Sequence, residues 1–135
     1  MRPSAIFFIL ITFFVFLGCK KSEMTPNSDL IIKAGFMCGW GSGEDSLVIS
    51  QSKIKYVYYI PAQSRVPIIN KSRSVSESEW TEILNIVNLD DFVNLNYQSC
   101  NVCFDGCDEW IYMEDDKISH SIRFVKGYQI DTISG

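Results

Sequence analysis

The chain has 135 residues, a formal net charge of −4 at pH 7 and a sequence pI near 4.9, and such an acidic chain has no electrostatic case for holding nucleic-acid phosphates. Its charges are dispersed, with no basic amphipathic segment to bind an anionic lipid surface. The length allows one modest domain with a real core, and excludes two.

The first element is an apolar run from Ala5 to Leu17, preceded by Arg2 and followed by Gly18 and Cys19. It falls short of the ~20 apolar residues that a permanent membrane helix needs, and reads as a secretion signal. An uncleaved anchor helix, or a secreted protein cut elsewhere, are the competing accounts. Phe16-Leu17-Gly18-Cys19 resembles the lipobox of bacterial lipoprotein precursors. That resemblance implies loss of residues 1–18 as a signal peptide and multiple acylation of Cys19, since one acyl chain anchors only weakly. The expected partner of Cys19 is therefore membrane lipid. Lys20 to Asp29 is polar, contains Pro26 and has no periodicity. With Cys19 it forms an expected lipidated tether, residues 19–29, ahead of a single compact domain, residues 30–135. Lys20 and Lys21 do not resemble the acidic signals that retain some lipoproteins at the inner membrane. This points to a lipid-anchored protein of the cell envelope, at the outer membrane.

Leu30, Ile32, Ala34 and Phe36 alternate as a half-buried strand should. Met37 to Gly43 then places three glycines around Cys38 and Trp40, a constrained loop. It lacks GxxxxGK[ST] and a following helix, so it is no phosphate cradle. A hairpin turning at Gln51-Ser52 would set Ile49 opposite Ile54, Leu47 opposite Tyr56 and Asp45 opposite Tyr58. Gln-Ser is a poor primed-turn former, so a one-residue slip that reverses the faces stays open. Lys53 to Ile60 reads as a strand stopped by Pro61, and Ala62 to Arg73 as a loop.

Ser76-Glu77-Ser78-Glu79 is a capping-box pattern ahead of Trp80, Ile83, Leu84 and Val87, a helical stripe over about 77–87. Asp90-Asp91-Phe92 starts a further single turn. Glu109–Glu114 and Lys117–Val125 form a second hairpin closed by Asp115-Asp116, with Met113 opposite Ile118 and Ile111 opposite His120. One face then carries Ile111, Met113, Ile118, His120 and Ile122, and the other Trp110, Tyr112 and Arg123.

Besides Cys19 the cysteines are Cys38, Cys100, Cys103 and Cys107. An even number in an exported chain predicts two disulfides, and any pairing joins Cys38 to the later cluster. That link closes a loop of roughly 60–70 residues, worth about 4 kcal/mol on the chain-entropy account. A thiol-redox alternative uses Cys100 and Cys103 as an exchanging pair, but no clear helix follows to lower a thiol pKa, and Asp105, Asp108 and Glu109 disfavour a thiolate. Cys100, Cys103 and Cys107 with His120 or Cys38 would make a soft tetrahedral metal set, yet an oxidising location turns them toward disulfides. Residues 105–109 are too short for an EF-hand. With one histidine and no nucleophile elbow, a hydrolase triad has little support. No catalytic residue, metal or cofactor is assigned, and an enzyme is not the default reading.

Cys38-Gly39-Trp40, Cys100-Asn101-Val102-Cys103, Asp105-Gly106-Cys107-Asp108 and His120-Ser121-Ile122-Arg123-Phe124 together resemble small uncharacterised lipoproteins of Bacteroidota, over most of residues 30–125. The resemblance implies a signal peptide followed by a compact cysteine-containing α+β domain, and carries no catalytic residue. The expected fold is α+β: an antiparallel sheet formed by hairpins, with one main helix packed on a face. The expected role is an interaction or accessory module of the envelope, meeting a protein or glycan through Trp40, Trp110, Tyr112 and Arg123. A periplasmic thiol-redox or metal-dependent enzyme is the alternative.

Overall fold

The computed structural model describes residues 29–129; the expected signal peptide, Cys19 and most of the tether lie outside the described residues. Among the described residues six strands form one antiparallel sheet: β1 (Ile31–Cys38), β2 (Glu44–Ile49), β3 (Lys53–Tyr59), β4 (Ile69–Ser74), β5 (Cys107–Glu114) and β6 (Ser119–Val125). Their order is β4-β3-β2-β1-β5-β6, so β1 sits inside the sheet, paired with β2 on one side and β5 on the other. Two helices, α1 (Glu77–Ile86) and α2 (Leu89–Val93), cover one face. This is the α+β architecture expected from the sequence.

The first hairpin turns at Gln51-Ser52, closed by mutual Ser50 and Lys53 backbone hydrogen bonds, with Ile49 opposite Ile54, Leu47 opposite Tyr56 and Asp45 opposite Tyr58. The second hairpin departs from expectation. Met113 pairs with His120 and Ile111 with Ile122, two residues away from the predicted register. The cause is Asp115: its Oδ1 accepts the N–H groups of both Lys117 and Ile118 at 2.8 Å, and its own N–H donates to Ile118 O. This side-chain turn lengthens the loop to Asp115–Ile118 and takes Ile118 out of the strand. A slip of two preserves side-chain parity, so every residue keeps its expected face. His120 stays on the inner face; its Nε2 lies 2.8 Å from Leu95 O and its ring meets Phe92 edge to face.

The segment Ala62–Arg73, expected as a loop, contains most of strand β4. Ile69–Ser74 is exposed along its length and, among the described residues, pairs only with β3. Polar edge strands blunt edge-to-edge association, and give none of the apolar alternation by which a strand is read.

Helix α1 begins with the expected capping box. Ser76 Oγ accepts the Glu79 N–H, and Glu79 Oε2 accepts the Ser76 N–H. Trp80, 4% exposed, drives into a cluster with Leu30 and Ile32, flanked by Ile83, Leu84 and Val87. Asn88 caps α2, whose Leu89 and Phe92 pack on Ile122 and Phe124. Met113 touches both clusters and joins them into one inner-face core.

Candidate functional site

The residues that carry chemistry meet at the end of β1. Cys38 closes that strand opposite Cys107, the first residue of β5, and the two are disulfide-bonded with Cα atoms 4.1 Å apart. Beyond them, two loops press together: the 3₁₀ turn Gly39–Gly41 and the 3₁₀ turn Asn101–Phe104. The Gly39 N–H donates to Gly106 O at 2.9 Å, and a Cβ on Gly39 would lie 2.8 Å from the Cα of Asp105. Only glycine admits this approach. Each loop holds a non-glycine residue at positive φ, Trp40 (57°) and Asp105 (65°). A left-handed Trp is a genuine backbone outlier, of a kind that clusters at functional sites.

The second disulfide joins Cys100 and Cys103, whose Cα atoms are 5.3 Å apart. Both residues are exposed. Two aromatic side chains stand out at the same end: Trp40, 82% exposed on one loop, and Phe104, 84% exposed and next in sequence to Cys103. Phe104 had no sequence signal, because a lone aromatic in a turn belongs to no periodic stripe.

Beneath the cysteine turn lies Asp108, with 0% of its surface exposed. Its Oδ1 accepts the Ser99 hydroxyl at 2.7 Å and the Asn101 N–H at 3.0 Å, and its Oδ2 accepts the Val102 N–H at 3.0 Å. Burial pushes its carboxyl up. The hydrogen bonds from Val102, Ser99 and Asn101, with the Arg123 charge, more than offset this and hold it below the usual carboxylate range. Asp108 is thus an internal cap that holds the CxxC turn through three hydrogen bonds of its own, besides the disulfide. It also occupies the turn's N–H groups, which at a helix terminus would stabilise a thiolate.

Of the expected recognition residues, the structure brings three together and leaves one apart. Trp110 and Arg123 are cross-strand partners on the face away from the helices, and Tyr112 shares that face. With Lys33 and Gln98 they line a shallow cavity of about 340 Å³. Lys33 bridges to Glu114 at 3.1 Å and lies 4.8 Å above the Tyr112 ring, whose hydroxyl donates to the same carboxylate. Those bonds, Tyr112 first and Lys33 second, lower the Glu114 carboxyl. The Trp110 Nε1–H is shut from solvent and meets no acceptor among the described residues. Trp40 belongs instead to the disulfide end.

Among the described residues no group of three or more His, Cys, Asp or Glu is placed to hold a metal ion, and all four domain cysteines are spent in disulfides. No described helix is long and apolar enough to cross a membrane. No protein-family model matches this chain, and no curated protein matches it either.

Proposed function

We propose that this domain is a thiol–disulfide exchange module of an exported protein, with Cys100 and Cys103 as the exchanging pair. Trp40 and Phe104 supply the apolar surface on which a cysteine-bearing peptide segment lands. The observation that carries this reading is the contrast between the two disulfides. Cys100 and Cys103 are exposed and only 3 residues apart, in a turn already held by Asp108. Cys38–Cys107 spans 69 residues and locks β1 to β5. One bond can therefore open while the other keeps the fold.

In the exchange, a substrate thiolate attacks one sulfur of the exposed pair. The Cys100–Cys103 bond breaks, and the other sulfur leaves with the electron pair and takes a proton from solvent. A second substrate thiolate then attacks the mixed disulfide, so the substrate gains a disulfide and Cys100 and Cys103 become thiols. Asp108 already takes the Asn101 and Val102 N–H groups, and the substrate supplies the attacking thiolate. A disulfide partner of the envelope restores the oxidised pair.

The test is alkylation mapping in graded dithiol buffers, together with oxidation of a dithiol peptide. Expected are selective opening of Cys100–Cys103 with the fold intact, and peptide oxidation abolished in C100S/C103S. Equal resistance of both disulfides, or unchanged peptide oxidation in that variant, overturns the reading.

A second reading, recognition without chemistry, is favoured by the Trp110, Tyr112 and Arg123 face, where aromatic rings and a guanidinium surround an open cavity. Its ligand would be an envelope protein or glycan, and W110A or R123A would abolish capture while leaving exchange intact. In both readings we place the domain in the envelope, acylated at Cys19 and tethered through residues 19–29 to the outer membrane, in keeping with the lipobox. Mass spectrometry of the amino-terminal peptide from the membrane fraction checks this; an unacylated Cys19 refutes it.

A further inference from the structure

Among the described residues, the helices leave part of the inner face uncovered. Helix α1 covers the start of β1 and the end of β2 through Leu30, Ile32 and Ile49, and α2 covers β6. Between them and the disulfide end, Ala34, Leu47, Tyr56 and Ile111 floor an open groove of about 390 Å³. That volume falls among those that bind small ligands, and a mostly apolar lining with a few placed polar groups is the usual composition of such sites.

Among the described residues, the charged groups of the lining itself are two carboxylates, Asp45 and Glu109, with a cation, Lys126, laid against it from outside. Asp45 accepts the Phe36 N–H at 2.9 Å and the Tyr56 hydroxyl at 3.2 Å, which fixes its position at the groove wall. Burial, and then that hydrogen bond, raise the Tyr56 phenol, so it stays a neutral donor. Phe36, also in the lining, already carries an ammonium on its ring: Lys126 Nζ sits 3.8 Å from its centroid. The chain's own lysine thus marks where a cation is welcome.

We propose that this groove binds a small amphiphile with an aromatic or alkyl body and a single ammonium head. The body lies on Ala34, Leu47 and Ile111, and the head meets Glu109 and Asp45 on the Phe36 ring, displacing Lys126. In the position vacated by Lys126, an anionic head of equal size would face two like charges. The site shares no residue with the cysteine turn or the Trp110 cavity floor that the exchange and recognition readings use, apart from the Trp110 side that borders it, so its outcome is separable from theirs.

The test uses 4-phenylbutylamine, 4-phenylbutanol and 4-phenylbutyrate, titrated into the oxidised protein and followed by amide chemical shifts. Expected is an amine Kd on the order of 1 mM, as befits a fragment of this size. It should be about five- to tenfold tighter than the alcohol's, with the butyrate weakest. Shifts should centre on Ala34, Leu47 and Ile111. Glu109→Gln should weaken the amine more than the alcohol and so narrow the gap between them. Lys126→Ala should tighten the amine, and Ala34→Leu, which fills the floor, should abolish all three. Equal binding of the three probes, preference for the butyrate, shifts centred elsewhere, or no binding overturns the proposal. The wild-type titrations decide it even where a variant fails to fold.

Discussion

Asp108→Asn removes the charge on which the Cys100–Cys103 turn is built while changing almost no volume. The carboxylate serves three donors, Ser99, Asn101 and Val102, in a site closed to solvent. The amide keeps one oxygen for Ser99 and Asn101 and turns its NH₂ toward the Val102 N–H, leaving that donor unpaired. An unpaired buried donor costs about 1–3 kcal/mol, and loss of the charge from the remaining bonds adds about 1 kcal/mol. The expected destabilisation is therefore about 3 kcal/mol, a large part of the stability of a domain of this size. Urea unfolding with both disulfides intact should show a lower midpoint at unchanged slope. Amide exchange should quicken at Asn101 and Val102 before the rest of the sheet. The pH dependence carries the same signature. Because the folded carboxyl is held below its ordinary value, its stabilisation is fully present above the unfolded value near 4 and is lost as pH falls through the depressed one. The gap between wild type and variant should then narrow in acid. A D108N unfolding free energy within about 0.5 kcal/mol of wild type, with exchange at Asn101 and Val102 unaltered, would refute the internal cap.

Three further outcomes follow from the packing. Replacing Cys38 and Cys107 together by Ala should cost about 4 kcal/mol, and replacing Cys100 and Cys103 about 2 kcal/mol, because loop-closure entropy grows with the spanned length; calorimetry of the two variants checks the order. Trp80→Ala should cost about 3–5 kcal/mol, whereas Ile86→Ala, on the exposed side of the same helix at 82% exposure, should cost less than about 0.5 kcal/mol. Gly35→Ala should destabilise by about 1–3 kcal/mol, since the new methyl group would collide with the Asp45 carbonyl oxygen and press on the Trp110 ring; a neutral result in denaturant titration would show that β1 and β2 can part at that point.

What the sequence disclosed was what is local. Ser76 and Glu79 lie three residues apart and cap the same turn, so the start of α1 was readable. Trp80, Ile83, Leu84 and Val87 announced the helix by spacing alone, and alternation in Leu30–Phe36 announced β1. The second hairpin's register failed on one side chain. Asp115 carries a local signal, an acid able to bond the N–H groups two and three residues ahead, which a two-residue connection at Asp115-Asp116 leaves out of account. Strand β4 was illegible because its stability comes from backbone pairing with β3, which leaves no apolar imprint. The pairing of Cys38 with Cys107 depends on β1 meeting β5 across 69 residues, and the burial of Asp108 on the cysteine turn folding back over it. The groove was invisible for a further reason: it is defined by where two short helices stop covering the sheet.

The placement of β1 also governs how the domain bears mechanical load. The chain enters at Leu30 and runs eight residues, roughly 26 Å, to Cys38. It is gripped on both edges along that length and riveted to β5 at its far tip. A pull transmitted through the amino-terminal segment must shear two ladders at once, and even then draws the strand against a covalent stop. On the proposed attachment through residues 19–29, the domain would thereby be protected from being unravelled by the thread that holds it.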